Sequence, residues 1–224
     1  VDQADQSGEL KRMICLHPGA GTSMRAADNP FSVDRIHQLR YQPRGWDWEE
    51  ILSRLHSLHH RAAIVGPEGS GKTTLMEDLA ERLAPRGLRP RFFTLNRQNR
   101  RLDPQLLSWL DHQAGPNDLL CFDGCEQLGP IRWRWLYHAC RRLGGVLITT
   151  HKPGRLETLV RCDTDAPLLL RLIRQLQPDL DFTVEDACHL LHQHRGNIRL
   201  ALREMYDRSW QAGGTQPEEN VKAC

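Results

Sequence analysis

The sequence predicts an α/β fold, a parallel five-stranded sheet sandwiched by helices, with a small helical unit toward its C-terminal end. Five short apolar runs, at 62–65, 91–95, 118–122, 145–149 and 158–162, alternate with stretches of helical periodicity. Strands that short and that uniformly apolar suit a parallel sheet covered on both faces. A glycine-rich segment ties the first run to a helical pattern, and no strand-like run remains after Pro178.

Taken in order, residues 1–28 mix Gln, Asp, Gly, Ser and Ala with little periodicity and read as a flexible arm. Because Met13 and Met24 lie inside this arm, a native start at or after Met24 is expected from N-terminal mass spectrometry. An extension over 29–60 follows, in which Asp47-Trp48-Glu49-Glu50 has the form of a capping box ahead of Ile51, Leu52, Leu55 and Leu58 and predicts a helix over 48–60. Leu75, Met76, Leu79 and Leu83 predict a helix over 72–84, and Asp103-Pro104 starts one over 104–113. Helices over 130–143 and 166–177 complete a core spanning 61–178. In the unit over 179–210, Thr183 caps a helix bearing Ala187, Leu190 and Leu191 that stops at Gly196, and Asn197 caps another with Ile198, Ala201, Leu202 and Met205. Residues 211–224 read as a disordered tail.

With 224 residues, 39% of them hydrophobic, the chain can bury a full core. Its 30 basic and 28 acidic residues are largely interspersed, for a net charge of +2 and a pI near 8.3, so no long-range field for nucleic acid is indicated. Seven scattered cysteines suit a reducing compartment, and without an apolar run of membrane-spanning length or a leader-like start a cytoplasmic location is expected.

The motif with the most chemical content is Gly66-Pro67-Glu68-Gly69-Ser70-Gly71-Lys72-Thr73, set between Ala62-Ala63-Ile64-Val65 and the helix opening at Thr74. This is the P-loop pattern in a strand-loop-helix setting. Its glycines let successive N–H groups converge on phosphate oxygens, the helix adds its positive end, and Lys72 and Thr73 are placed for the β/γ-phosphates and Mg²⁺. ATP with Mg²⁺ is the expected ligand, the P-loop residues 66–73 together with Thr74 being the binding set.

Leu119-Leu120-Cys121-Phe122 ends in Asp123, at the carboxyl edge of a buried strand where ligands of open sheets collect, and Asp123 joins Thr73 as the expected Mg²⁺ partner. Glycine follows at 124, so the next acidic group is Glu126, which suits either a water-positioning carboxylate or a solvated loop charge. Thr149-Thr150-His151 closes another strand. If that strand lies between those carrying Val65 and Phe122, Thr150 reaches the γ-phosphate or the attacking water; threonine is also a common strand-ending residue. Trp133 and Trp135 alternate with Arg132 and Arg134, a pattern resembling a nucleic-acid surface, yet a helix carrying Ile131, Trp135, Leu136 and Cys140 buries one tryptophan and leaves the arginines solvated. Cys188, His189, His192 and His194 lack the paired spacing of a zinc site.

Gly196-Asn197-Ile198-Arg199 in the helical unit, taken with the order Lys72, Asp123, Thr150, Arg199, resembles the AAA+ family of P-loop ATPases over about residues 60 to 208. The resemblance implies that 179–210 is a lid, that Arg199 senses the γ-phosphate and that Thr150 is close to the first sensor. It implies catalytic roles for Lys72, Glu126, Thr150 and Arg199. Asp123-Gly124-Cys125-Glu126 is more similar to the signalling relatives called STAND ATPases, including their NACHT branch, which implies slow hydrolysis. Arg40 and Tyr41 are the candidates to pack near adenine. Homo-oligomers are implied too, with Arg155 or Arg161 as an arginine finger or as ordinary surface charge. The functional expectation is an ATP hydrolase that couples Mg-ATP binding to lid movement and recruitment of a protein partner. Two alternatives remain, a DNA-associated accessory ATPase of the transposition type and a small nucleoside or nucleotide kinase.

Overall fold

The computed structural model describes residues 25–95 and 101–213. The arm expected over 1–28 and the tail expected over 211–224 lie almost wholly outside the described residues. The strands are β1 (Arg61–Val65), β2 (Arg89–Thr94), β3 (Asp118–Asp123), β4 (Gly145–Thr150) and β5 (Thr158–Arg161). The helices are α1 (Val33–His37), α2 (Trp48–Ser57), α3 (Lys72–Leu83), α4 (Pro104–His112), α5 (Pro130–Ala139), α6 (Ala166–Leu176), α7 (Val184–Gln193) and α8 (Ile198–Gly213). They fall into two compact units, Arg40–Asp163 and a helical unit formed by the described residues 25–39 and 164–213.

In the larger unit the five strands form one parallel sheet in the order β2-β3-β4-β1-β5. β4 therefore lies between β1 and β3. The two sides of the sheet follow from the period of two along each strand. Ala62, Ile64, Leu119, Cys121 and Leu147 face Ile51 and Leu55 of α2 and Leu75 and Leu79 of α3. Ala63, Val65, Leu120, Phe122 and Ile148 face Leu106 and Trp109 of α4 and Leu136 of α5. Burying each such large side chain contributes about 1.5–3 kcal/mol, so these two layers hold the sheet between its helices. β2 is one of the two edge strands, where Pro90 is tolerated and Phe92 stays 49% exposed.

Two local expectations are corrected. The helix opened by the reciprocal Asp47–Glu50 capping box ends at Ser57 rather than 60, because His59 and His60 turn to positive φ and lead the chain into β1. In α5, Leu136 faces the core and Cys140, just past its end, is buried with it, while Trp133 is half-buried; Ile131 and Trp135 point outward at 84% and 51% exposure. The inward spacing i, i+3, i+7 wins over the equally helical i, i+4 stripe through Ile131 and Trp135.

The helical unit has its own core, in which Leu169 and Ile173 of α6, Leu190 of α7, and Ala201 and Met205 of α8 surround Phe31. Asn29 fixes the entry to this core, its Oδ1 accepting from Phe31 N at 2.9 Å and its Nδ2 donating to Tyr206 O at 3.0 Å. The unit therefore takes α6, ahead of Pro178, and the residues before Arg40 that the sequence reading grouped with α2. Asp165 caps α6, Thr183 and Asp186 form a capping box on α7, and Asn197 Oδ1 accepts from Leu200 N at 3.1 Å at the start of α8.

Glu204 of α8 bonds His194 and Arg208. Burial raises its pKa, but the hydrogen bonds from His194 and Arg208 outweigh that and leave it below the usual carboxylate value. A carboxyl depressed on folding stabilises above its unfolded pKa and loses that contribution as pH falls through the folded value. Glu204→Gln is accordingly expected to cost about 1–2 kcal/mol at pH 7 and progressively less in acid below pH ~4, read from denaturant melts across pH. Among the described residues, no helix is long and apolar enough to cross a membrane.

Candidate functional site

The loop after β1 turns into α3 through Gly69 (φ 74°) and Gly71 (φ 82°), left-handed conformations that glycine adopts without steric cost. The Gly66 amide donates to Thr150 O at 3.1 Å, and Leu75 N in the first turn of α3 donates to Gly71 O at 2.9 Å. The first amides of α3 have no intrahelical partner and form a ready set of donors at its positive end. Ser70 Oγ donates to Pro67 O at 2.9 Å, and the Lys72 ammonium reaches the same carbonyl at 2.6 Å. Lys72 is 8% exposed; burial lowers its pKa, partly offset by the charges of Glu126 and Asp123.

Asp123, at the end of β3, shares its sheet face with Leu119 and Cys121, the face that packs on α3. Thr73 Oγ1 in the first turn of α3 donates to Asp123 Oδ2 at 2.9 Å. The other carboxylate oxygen is bonded by the Thr149 hydroxyl, which also accepts from Gly124 N at 2.9 Å. Two hydroxyls and a carboxylate, all hard oxygen donors, thus converge beside Lys72, a donor set that fits Mg²⁺. Thr150 sits on the opposite face, with its Oγ1 donating to Lys152 O at 3.1 Å. The strand places Thr149, not Thr150, on Asp123, and Thr149 is the site residue that sequence reasoning missed.

Glu126 is carried by the turn after β3 and is 24% exposed. Its Oε1 lies 3.6 Å from His151 Nε2 and 3.4 Å from Gln127 Nε2, while its Oε2 is buried and accepts no hydrogen bond among the described residues. Leaving a carboxylate oxygen buried and unpaired is costly, which argues against a solvated loop charge. Arg155 packs behind this turn, donating to Leu128 O with its guanidinium 5.4 Å above the Trp133 ring. That inward pose is a packed side chain; Arg161, at the end of β5, is exposed.

On the flank of the loop, the Arg40 guanidinium bonds Asp78 and Glu81 of α3, each at 2.7 Å, and Tyr41 N donates to Asp78 Oδ2 at 2.7 Å. The Tyr41 ring borders Gly71, where an added Cβ would lie 3.6 Å from Tyr41 Cδ2. Arg40 is committed to carboxylates, so of the two it is Tyr41 that offers a surface beside the loop. Arg199 belongs to the helical unit, where it is the second residue of α8 and exposed.

No protein-family model matches the chain, and a search of curated proteins finds no match either.

Proposed function

We propose that this protein is an Mg-ATP-binding P-loop ATPase of AAA+ or STAND type that hydrolyses slowly and uses its nucleotide state to move a lid, the helical unit that contains residues 179–210, and to recruit a protein partner. One observation carries the reading. Across a separation of fifty positions the fold brings the Thr73 hydroxyl onto the Asp123 carboxylate, at the foot of a helix that starts with a buried lysine. A strand order with β4 inserted between β1 and β3 supports it as well.

In this reading the loop amides and Lys72 hold the phosphates, while Thr73 and Asp123 hold Mg²⁺, with Thr149 fixing the Asp123 carboxylate. When bound, Mg²⁺ neutralises charge on the β- and γ-phosphate oxygens. Glu126 orients the attacking water through its unpaired Oε2 and accepts its proton. Assembly into homo-oligomers belongs to the same reading.

Calorimetry and phosphate release test it together. Mg-ATP is expected to bind, and chelation of the metal to weaken that binding. Glu126→Gln should leave affinity within about 2-fold while lowering turnover about 100-fold, the low end for losing a general base. An unchanged turnover would remove Glu126 from the chemistry and leave a nucleotide-binding switch; no binding at all would remove the reading.

A further inference from the structure

Helix α5 presents a second surface with no part in nucleotide chemistry. Between residues 127 and 156 the chain has six arginines and lysines and no acidic residue. On the outer side of α5, Ile131 is 84% exposed, Trp135 51% and Tyr137 40%. With Arg134, Arg141 and Arg61 they line a cavity of about 740 Å³. Arg61 is part of its wall: its guanidinium donates to Cys140 O at 3.1 Å and Leu143 O at 2.9 Å and lies 5.9 Å from the Tyr137 ring centre. Tyr137 in turn stacks on Trp133, ring centres 5.6 Å apart. Arg134 and Arg141 have no ion-pair partner among the described residues. Asp111 lies in an adjoining depression of about 450 Å³ shared by Arg141 and Arg142.

We propose that this face of α5 docks an acidic segment of a partner protein that carries apolar anchor side chains. Trp, Tyr and Arg around an apolar centre are the residues enriched where proteins bind proteins. The anchors of such a segment cover Ile131 and Trp135, and its carboxylates pair with the two uncommitted guanidiniums. Single-stranded nucleic acid is the poorer fit. Two free guanidiniums neutralise about two phosphates, against the six to ten of a typical nucleic-acid site, and the whole chain carries only +2. An aliphatic side chain as exposed as Ile131 adds nothing to phosphate pairing, whereas against an apolar anchor it removes surface from water.

The nucleotide reading and this surface can fail separately. A displayed library of random peptides is selected on the full chain, and recovered peptides are measured by anisotropy. The expected peptides are rich in Asp or Glu with Leu, Phe or Trp between them, and lose affinity about 30-fold on Trp135→Ala and again on Arg141→Glu. Both positions are exposed, so melting temperature and Mg-ATP affinity should stay at wild-type values. A library that yields no binder, peptides without acidic enrichment, or binding that both variants leave intact would overturn the proposal. Oligothymidylate binding abolished by Arg141→Glu would assign the face to nucleic acid. A wild-type dimer that Trp135→Ala turns into monomers by light scattering would assign it to a second copy of this chain.

Discussion

Lys72→Met is expected to remove Mg-ATP binding without lowering the melting temperature. The ammonium sits at the start of α3, 8% exposed, and among the described residues its one hydrogen bond is to Pro67 O. Truncating one partner of a buried charge pair costs about 2–5 kcal/mol, which converts to a loss of about 30-fold to several thousand-fold in affinity. Stability should move the other way. Burial lowers the Lys72 pKa despite the nearby charges of Glu126 and Asp123, so the folded chain binds this proton less readily than the unfolded one. By linkage, its charging therefore costs stability at every pH below the ordinary lysine value, pH 7 included. Methionine fills the same volume without that charge, so the apo melt should hold or rise slightly. ATP should raise the wild-type melt and not that of the variant. A variant that still bound micromolar Mg-ATP would remove the nucleotide reading, whereas one that unfolded would show that the ammonium holds the loop together.

Much of this architecture is legible in the sequence because buried strands and helical stripes leave signals of different period. The pairing of Thr73 with Asp123 is legible too, since the glycine loop fixes one partner and the end of an apolar run the other. Thr149 was hidden by the burial that makes β4 recognisable. Leu147 and Ile148 are both apolar, because one packs toward α3 and the other toward α5. Without polar alternation the sequence holds no record of which face a residue takes, and Thr149 and Thr150 look interchangeable. The same kind of degeneracy moved the unit boundary. The apolar stripe of α6 would fit a sheet or a helix pair equally well, and only the contacts of Leu169 and Ile173 with α7 and α8 residues place it in the helical unit. In α5 two stripes compete, and the sequence cannot say which faces Val146 and which is left for solvent.

Gly124→Ala should destabilise the larger unit by about 3 kcal/mol or more, and Gly124→Glu by at least as much. The resemblance to AAA+ ATPases invites the second change, since many of them place glutamate directly after the aspartate that corresponds to Asp123. Gly124 has φ 78°, and a Cβ there would lie 2.1 Å from Leu95 O. The clash is with main chain rather than a flexible side-chain end, and Leu95 N in turn donates to Asp123 O at 2.9 Å, so the two strand ends cannot simply part. Displacing Gly124 also draws its amide off Thr149 Oγ1, and Thr149 is what fixes the Asp123 carboxylate. A glutamate at 124 is therefore expected to disrupt the Thr73–Asp123 pair instead of adding a catalytic base. At about 2–4 °C per kcal/mol for a chain of this size, the melting temperature should fall by roughly 6–12 °C. Gly115→Ala is the control: its Cβ would meet only Asp118 Oδ2 at 3.8 Å, and its φ is ordinary, so stability should stay within about 0.5 kcal/mol of wild type. Equal melts for the two alanine variants would mean that the turn after β3 relaxes freely. The glycine at 124 would then have to be explained by Glu126 placement alone, with the backbone free to accept any residue.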